Sequence, residues 1–400
     1  MTAKTNRNRT MDNRAPEPPR PAQRGGLLIA TTAGFILLFM AFGAGSTKLL
    51  LAAAIGVFAG VALYHASFGF TSAWRRFVFE QRGSGLRAQI MLILITCAVT
   101  FPLIAAGGVF GRPVNGSVAP FGYAAALGAF MFGIGMQLGG SCASGTLFTA
   151  GGGNTRMLAT LGGFIAGSVI ATAHLPYWWS LPALPSFSLV DAYGAAPAYA
   201  ITALVLGGLY LFSRQRELRH HGELEDRPDR VNLIRGPWPK SWGCVALAIV
   251  SIATLLVLSR PWGITSAFML WGAKIAQAGG VSFETWPYWQ NRLAWLNQSI
   301  FSDSTSLMNF GIIIGAFAAA SVAGRFAPTF RLPVRDLLIA ICGGLLMGYG
   351  ARLAYGCNIG AYLGGVISGS LHGWGWLVFG FMGSWLGGML MLRTSQAQSK

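Results

Sequence analysis

Two cysteines lie in glycine-rich turns, each at the end of a long apolar run. Cys142 belongs to FGIGMQLGGSCASG (132–145), and Cys357 belongs to MGYGARLAYGCNIG (347–360). The two segments are identical at five of fourteen aligned positions, including the cysteine. Such turns let backbone N–H groups converge on a small anion, and a helix that starts there adds its positive end. A thiol adds a soft, polarizable contact. The pattern therefore predicts a site for a small anion that carries sulfur.

A second repeated signature accompanies the first. FGFTSA (68–73) is similar to WGITSA (262–267), and we expect the Thr-Ser pairs to cap interrupted helices and to offer hydroxyl donors. Arg352 lies five residues before Cys357 in an apolar run, where a charge is costly enough to indicate function. The candidate substrate-binding residues are Thr71, Ser72, Gly135, Ser141, Cys142, Gly145, Thr265, Ser266, Gly350, Arg352, Gly356, Cys357, Asn358 and Gly360.

Each of these residue types also has a purely structural interpretation. Glycines let neighbouring membrane helices pack closely, and a cysteine is often a small buried hydrophobe, as we expect for Cys97, Cys244 and Cys342. The Thr-Ser pairs can serve only as caps, and Arg352 can pair with Asp336.

The elements that must position these residues are membrane helices. Of the 400 residues, 53% are hydrophobic and 10% are charged, which is not the balance of a soluble domain. About ten runs approach the roughly 20 residues that cross a bilayer as a helix. They lie near 26–43, 48–67, 88–110, 119–137, 156–176, 197–213, 242–259, 307–323, 336–355 and 374–392. The prediction is an all-α polytopic membrane protein.

The net charge of +17 follows the membrane topology and does not indicate a nucleic-acid partner. Basic residues gather before the first run, after the second, between the sixth and seventh, and after the eighth and tenth. The positive-inside rule then places both termini in the cytoplasm and the loops near 111–118, 177–196 and 260–306 outside.

The repeated signatures divide the chain into two halves of five spans each. Because five is odd, the second half must enter the membrane from the opposite side, so we predict inverted repeats with re-entrant half-helices. The predicted domains are a disordered basic tail (1–25), a first repeat (26–213), a charged cytoplasmic linker (214–240) and a second repeat (241–393). We expect the two cysteine turns to meet near the membrane midplane.

The sequence shows no constellation typical of an enzyme. It has no metal-ligand cluster, no phosphate-binding Gly-Lys-Ser/Thr loop, no nucleophile beside a base, and no Cys-x-x-Cys motif. We therefore predict no catalytic activity, no metal and no cofactor. Apart from Asp336, the predicted spans contain no carboxylate for a proton relay.

The paired Gly-x-Gly-x6-Cys-x2-Gly segments resemble the YeeE/YedE sulfur-transport family, and GYGARLAYGCNIGAYLGGVISGSLHGW (348–374) resembles its YedE branch. The likeness covers about residues 48–392. It implies an inner-membrane importer of thiosulfate or a related anion, whose Cys142 and Cys357 contact the passing ion. It also implies a small cytoplasmic sulfur-carrier protein as partner. The first motif departs from the pattern, because Ser141 precedes its cysteine where glycine is expected.

Two other functions fit the same residues. One is a membrane scaffold or sulfur relay that hands persulfide to a partner, which requires a cysteine exposed at the cytoplasmic face. The other is a transporter of a selenium compound or of a different anion, such as sulfite or selenite.

Overall fold

The computed structural model describes residues 21–109, 111–225 and 231–396, with side chains up to residue 393. Residues 1–20 of the predicted tail lie outside the described residues, and α1 begins at Arg24, inside that predicted tail. The helices are α1 (Arg24–Gly43), α2 (Thr47–Ala66), α3 (Phe70–Arg75), α4 (Ser84–Ala105), α5 (Tyr123–Gly139), α6 (Ala143–Gly151), α7 (Arg156–Ser180), α8 (Leu189–Tyr193), α9 (Ala195–His221), α10 (Lys240–Leu258), α11 (Thr265–Ala278), α12 (Pro287–Gln290), α13 (Leu293–Asn297), α14 (Ser304–Val322), α15 (Val334–Leu353), α16 (Gly364–Val366) and α17 (Leu371–Gln396).

In the described ranges, ten helical segments are long and apolar enough to cross a membrane. They contain α1, α2, α4, α5, α7, α9, α10, α14, α15 and α17, which confirms the predicted all-α polytopic class. Helices dominate because the hydrocarbon layer offers no water to satisfy backbone N–H and C=O groups. The β-structure consists of two short antiparallel pairs, 108–109 with 112–113 and 121–122 with 183–184.

The core bundle, which we define as α5, α7, α15 and α17, is packed through glycine. In the α5–α15 contact, Gly128 lies against Gly350 and Gly135 lies against Gly343. A Cβ added at Gly135 would lie 2.7 Å from the Gly343 carbonyl oxygen, so only glycine allows this approach. The register shows that the two helices run antiparallel.

That contact has the pairing of a two-fold axis. At the offset of 215 residues that aligns the two cysteines, Gly128 corresponds to Gly343 and Gly135 corresponds to Gly350. The contact of Gly128 with Gly350 therefore maps onto the contact of Gly343 with Gly135. The α7–α15 and α5–α17 contacts correspond in the same way. These equivalences support the predicted inverted repeat.

The other six spanning helices, α1, α2, α4, α9, α10 and α14, form a second unit that we call the outer bundle. Its contacts also come in corresponding pairs, because α2 packs on α14 as α10 packs on α4, and α1 packs on α14 as α9 packs on α4. The sixth span, α9, therefore occupies the place in the second half that α1 occupies in the first.

Short helices occupy the space between the two bundles. Helix α6 packs on α7 of the core bundle and on α14 of the outer bundle, and α11 also packs on α7 and α14. Helix α3 packs on α17 and α4. The segment 358–366, formed by a π-helical turn (Asn358–Leu363) and α16, packs on α17 and contacts α4 through the Cys97 sulfur and the Val366 carbonyl. These half-helices carry all four sequence signatures.

Candidate functional site

The two cysteine turns share one backbone conformation. Gly140 (φ 86°) and its counterpart Tyr355 (φ 61°) are both left-handed. Two residues later, Cys142 and Cys357 are both extended and both precede a helix of nine residues, 143–151 and 358–366. A left-handed tyrosine is strained, and such strain persists only where the surroundings enforce it. The second turn is therefore held in the conformation that Gly140 adopts freely.

Both turns lie within the depth of the bundle. Gly139, the last residue of α5, lies against Gly343, which is the tenth of the twenty residues of α15. Helix α5 thus ends about half-way along its neighbour, and the chain turns there into α6. The same turn contacts the start of α7, where the Arg156 guanidinium donates to the Leu138 carbonyl at 2.8 Å, and its re-entrant form stays a prediction.

Both thiols of the repeated turns are buried in the interior of the protein. Cys142 is 1% exposed and Cys357 is fully buried, and both belong to one hydrophobic cluster. The two sulfur atoms are within electrostatic range of one another, and Arg352 is within range of Cys357. The backbone N–H groups of Ile359 and Gly360 point to the Cys357 sulfur. This is the donor arrangement expected where a helix receives an anion.

The first turn surrounds its thiol with small polar groups. The Cys142 sulfur lies 3.5 Å from the Ser144 hydroxyl, and the Cys142 carbonyl accepts a hydrogen bond of 2.8 Å from the Thr146 hydroxyl. A Cβ added at Gly145 would overlap the Ser141 hydroxyl and would lie 3.4 Å from the Cys142 sulfur. Gly145 therefore leaves beside the thiol a space that the Ser141 hydroxyl occupies.

Asn358 provides polar atoms next to the second thiol. It is fully buried, and neither its amide nitrogen nor its oxygen has a partner among the described residues. A buried, unpartnered amide is costly, so the site offers two donors and an acceptor for a ligand or water. Gly356 (φ 152°) permits the turn, and Gly360 leaves the helix start open, because the nearest atom to an added Cβ lies 3.9 Å away.

The remaining two candidate glycines lie elsewhere. Gly135 and Gly350 form the α5–α15 contact, and the nearest atoms to an added Cβ belong to the facing helix. Their position fits the packing interpretation. The structure does not bring them next to the thiols.

Arg352 bonds to groups of the second half and not to Asp336. Its guanidinium donates to the Thr265 hydroxyl and to Tyr288, and it lies 3.8 Å from the Met269 sulfur. Its Nε is buried without a partner. Asp336 is in the first turn of α15 and Arg352 is in the last, which separates them by roughly 24 Å. The alternative of an Arg352–Asp336 pair is therefore wrong.

The Thr-Ser pairs do not cap their helices. No side-chain capping bond is present at the start of α3 or α11. Thr265 instead accepts from Arg352, and the Ser266 hydroxyl donates to the Thr305 hydroxyl at 3.3 Å. The hydroxyl of Thr71 is buried without a partner, and Ser72 lines a cavity of about 290 Å³.

Gln137 completes the constellation and was not among the predicted site residues. Its amide nitrogen donates to the Thr71 carbonyl at 3.2 Å and to the Ser384 hydroxyl at 2.7 Å. Gln137 aligns with Arg352, and Thr71 aligns with Thr265. The pair Gln137–Thr71 is thus the counterpart of Arg352–Thr265. The signal was present in the aligned segments, where Q and R occupy the same column.

The cavity beside Ser72 is closed by an ion-pair network that sequence reasoning missed. The Glu225 carboxylate accepts from Arg76 at 2.7 Å and from the Ser84 hydroxyl. Burial raises the pKa of Glu225, but the hydrogen bonds from Ser84 and Arg76 outweigh it and hold this pKa below its usual value. Glu217, fully buried near the end of α9, is held by Arg87 at 2.8 Å. The linker is thus fixed to the ends of α4 and α9.

The other three cysteines lie apart from the paired thiols. Cys97, on α4, contacts the Val366 carbonyl at 3.9 Å, at the far end of the second half-helix. Cys244, near the start of α10, contacts the Ser241 carbonyl at 3.0 Å. Cys342 is exposed in the middle of α15.

The ten apolar spans found among the described residues define a multi-pass membrane protein. The match to a family model described as "Sulphur transport" covers residues 65–386. The chain belongs to this family, which confirms the resemblance to YeeE/YedE proteins.

Several relatives have names that concern transport. The probable transporter YedE of Salmonella typhimurium is 33% identical over 157 residues, 39% of this chain and 38% of YedE, so the alignment spans less than half of that protein. The thiosulfate transporter TsuA of Spirochaeta thermophila is 27% identical over 369 residues, 85% of this chain and 98% of TsuA. The Escherichia coli TsuA is 22% identical over 360 residues, 86% of this chain and 95% of that protein.

Proposed function

We propose that this protein imports thiosulfate, or a closely related sulfur-containing anion, through a path in which Cys142 and Cys357 contact the ion. The observation that carries the proposal is the pair of buried thiols at the N-terminal ends of two opposed nine-residue helices. The family and the TsuA relatives support sulfur-anion transport.

The charges of the site match a divalent anion. Each half-helix contributes roughly +0.5 at its N-terminal end, and Arg352 contributes a full positive charge. The sum, roughly +2, balances the two negative charges of thiosulfate. Thiosulfate also has one soft terminal sulfur and three hard oxygens, so the thiols can contact the sulfur while backbone N–H groups and Arg352 bind the oxygens.

The proposed site is occluded, because both thiols are buried. Transport then requires the ion to reach them by movement of the surrounding elements. On the side of Arg352, the site is covered by Tyr288, which belongs to the aromatic segment 283–296. On the side of Gln137, it is covered by α3. We assign these two sides to the outside and the cytoplasm.

The orientation rests on the positive-inside rule. Six crossings before the 222–239 linker and four after it place the start of α1, the linker and the end of α17 on one side. We propose that this side is the cytoplasmic face of the inner membrane. Reporter fusions at residues 225 and 398 should report a cytoplasmic position, and a fusion at residue 290 a periplasmic one. A periplasmic signal at 225 or 398 would contradict the inverted repeat.

The test of the function is uptake of radiolabelled thiosulfate by cells that lack their own importer. Expression of this chain should restore uptake, and unlabelled thiosulfate should compete better than sulfite, selenite or sulfate. Stronger competition by selenite or sulfite would change the assigned substrate but would retain an anion transporter. No uptake of any of these ions at normal membrane abundance would refute the proposal.

The burial of the thiols argues against the relay alternative. A relay needs a reactive thiol at the cytoplasmic face, whereas Cys142 and Cys357 are buried and Cys342 lies mid-way along a spanning helix. Membrane-impermeant maleimide applied from the cytoplasmic side should leave Cys142 and Cys357 unmodified. Rapid modification would favour the relay. A cytoplasmic sulfur-carrier protein remains the proposed recipient of the imported sulfur.

A further inference from the structure

The two halves differ in charge at one pair of corresponding positions. Arg352 and Gln137 each lie five residues before a paired cysteine, and each bonds to the threonine of its neighbouring half-helix. Gln137 is 2% exposed, and its side-chain oxygen has no partner among the described residues. The position before Cys357 therefore carries a cation, Arg352, and the equivalent position before Cys142 carries a neutral amide, Gln137.

The two positions are well separated along the axis of the core bundle. Gly128 on α5 lies against Gly350 on α15, and the helices run antiparallel. Arg352 is two residues beyond Gly350, and Gln137 is nine residues beyond Gly128 in the opposite direction. At 1.5 Å per residue, the two side chains leave the bundle roughly 17 Å apart along its axis.

Gln137 can exchange a bond without breaking the fold. One N–H of its amide is donated to the Thr71 carbonyl, and the other is donated to the Ser384 hydroxyl. A hydroxyl rotates and finds other partners at little cost. An arriving anion can therefore take the N–H that Ser384 now accepts.

We propose that Gln137 is the inner substrate-contacting residue, and that the Arg352/Gln137 difference makes the inner side of the thiol pair a weaker anion site than the outer side. This inference rests on the function and orientation proposed above. Both sides keep a half-helix end, but a charge-assisted hydrogen bond is about twice as strong as a neutral one. The ion consequently binds from dilute solution outside and is released readily inside.

The asymmetry changes half-saturation, which is the thiosulfate concentration that gives half-maximal transport. It leaves the equilibrium distribution of the ion unchanged, because no fixed site alters an equilibrium. It predicts that half-saturation for thiosulfate is lower from the outer face than from the inner face. Right-side-out and inside-out membrane vesicles measure the two values separately, with the same protein and the same labelled ion.

Two substitutions test the inference from opposite directions. Gln137→Arg should lower the inner half-saturation by about tenfold, which corresponds to about 1.4 kcal/mol. Arg352→Gln should raise the outer value by a similar factor and change the inner value less, so its ratio remains informative even if Gln137→Arg prevents folding. The double exchange Gln137→Arg, Arg352→Gln should invert the ratio of the two values.

The outcomes separate this inference from the proposed function. Thiosulfate transport with equal half-saturation on both faces of the unmodified protein would overturn the inference and keep the function. An unchanged ratio in both substituted proteins would also overturn the inference and keep the function. Absence of thiosulfate transport in both vesicle types would instead overturn the function on which the inference rests.

Discussion

Gly145→Ala tests whether the ion binds at the space beside Cys142 where the Ser141 hydroxyl lies. The added methyl group meets only side chains, because its three nearest atoms are the Ser141 hydroxyl, the Ser141 Cβ at 3.2 Å and the Cys142 sulfur at 3.4 Å. Alanine favours the α6 helix by about 1 kcal/mol relative to glycine. Forcing Ser141 off its rotamer costs about 0.5–1.5 kcal/mol. These two effects nearly cancel, so the thermal stability should change little.

Transport should respond differently from stability. The methyl displaces the Ser141 hydroxyl from its position beside the thiol, so the ion loses a hydrogen bond to that donor. A hydrogen bond to a charged partner contributes about 1.5–3 kcal/mol, which predicts that uptake at low thiosulfate concentration falls by about tenfold to one hundredfold. The assay is initial uptake at matched membrane abundance, with a thermal melt of the purified variant.

The matched control is Gly162→Ala. Gly162 is exposed on α7, and an added Cβ meets nothing within 4 Å. The same chemical change should therefore leave uptake as in the unmodified protein and raise the melting temperature slightly, because alanine favours the helix. Normal uptake in the Gly145→Ala variant would refute the claim that this space holds the ion. A fall in uptake that merely follows a loss of folded protein would assign Gly145 to packing.

Three further predictions use the same uptake and melting assays. Cys142→Ser and Cys357→Ser should each fold and lose uptake, and serine at the other three cysteines should have a far smaller effect. Thiosulfate should slow alkylation of the paired thiols. Full uptake in the double serine variant would remove the cysteines from the mechanism. Arg352→Gln should weaken uptake at normal membrane abundance, and Arg352→Lys should retain part of it. Arg335→Gln, at the exposed end of the same helix, should have no effect. Equal losses of uptake at both positions would indicate a general charge effect. The pKa of Glu225 is lowered in the folded protein, so its contribution to stability is present above the ordinary carboxyl pKa and is lost as the pH falls through the lowered value. Glu225→Gln should therefore reduce the fall in melting temperature on the acid side of its pH profile. Parallel pH profiles of the melting temperature would show that this carboxylate is not coupled to folding.

The spans were predictable because membrane-crossing length and hydropathy are local properties of the sequence. The ends were less so. The predicted sixth span stops at residue 213, whereas α9 continues to His221. Its polar end is held by pairing of Glu217 with arginines more than 130 residues earlier, and no local pattern reports such a contact.

The site was predictable to the extent that it is repeated. Two copies of the cysteine turn made Cys142 and Cys357 visible as a pair. Groups that occur in only one half were not found, such as Tyr288, which reaches Arg352 from a segment 64 residues earlier. The capping role of the Thr-Ser pairs was wrong, because their hydroxyls and carbonyls bond to distant side chains and not to their own helix starts.

The division of the spanning helices into two bundles has a mechanical consequence. Within each bundle, helices meet through glycine, and a contact without side chains has no rotamers that can rearrange. Each bundle is therefore expected to move as a rigid body. Between the described spanning helices of the two bundles direct contact is sparse, and the half-helices fill that boundary. Spin-label distances within a bundle should stay constant during transport, and distances across the boundary should change. We expect one bundle to rock against the other around the thiols. A small tilt of one bundle would then expose the ion to either side of the membrane while the ion itself moves very little.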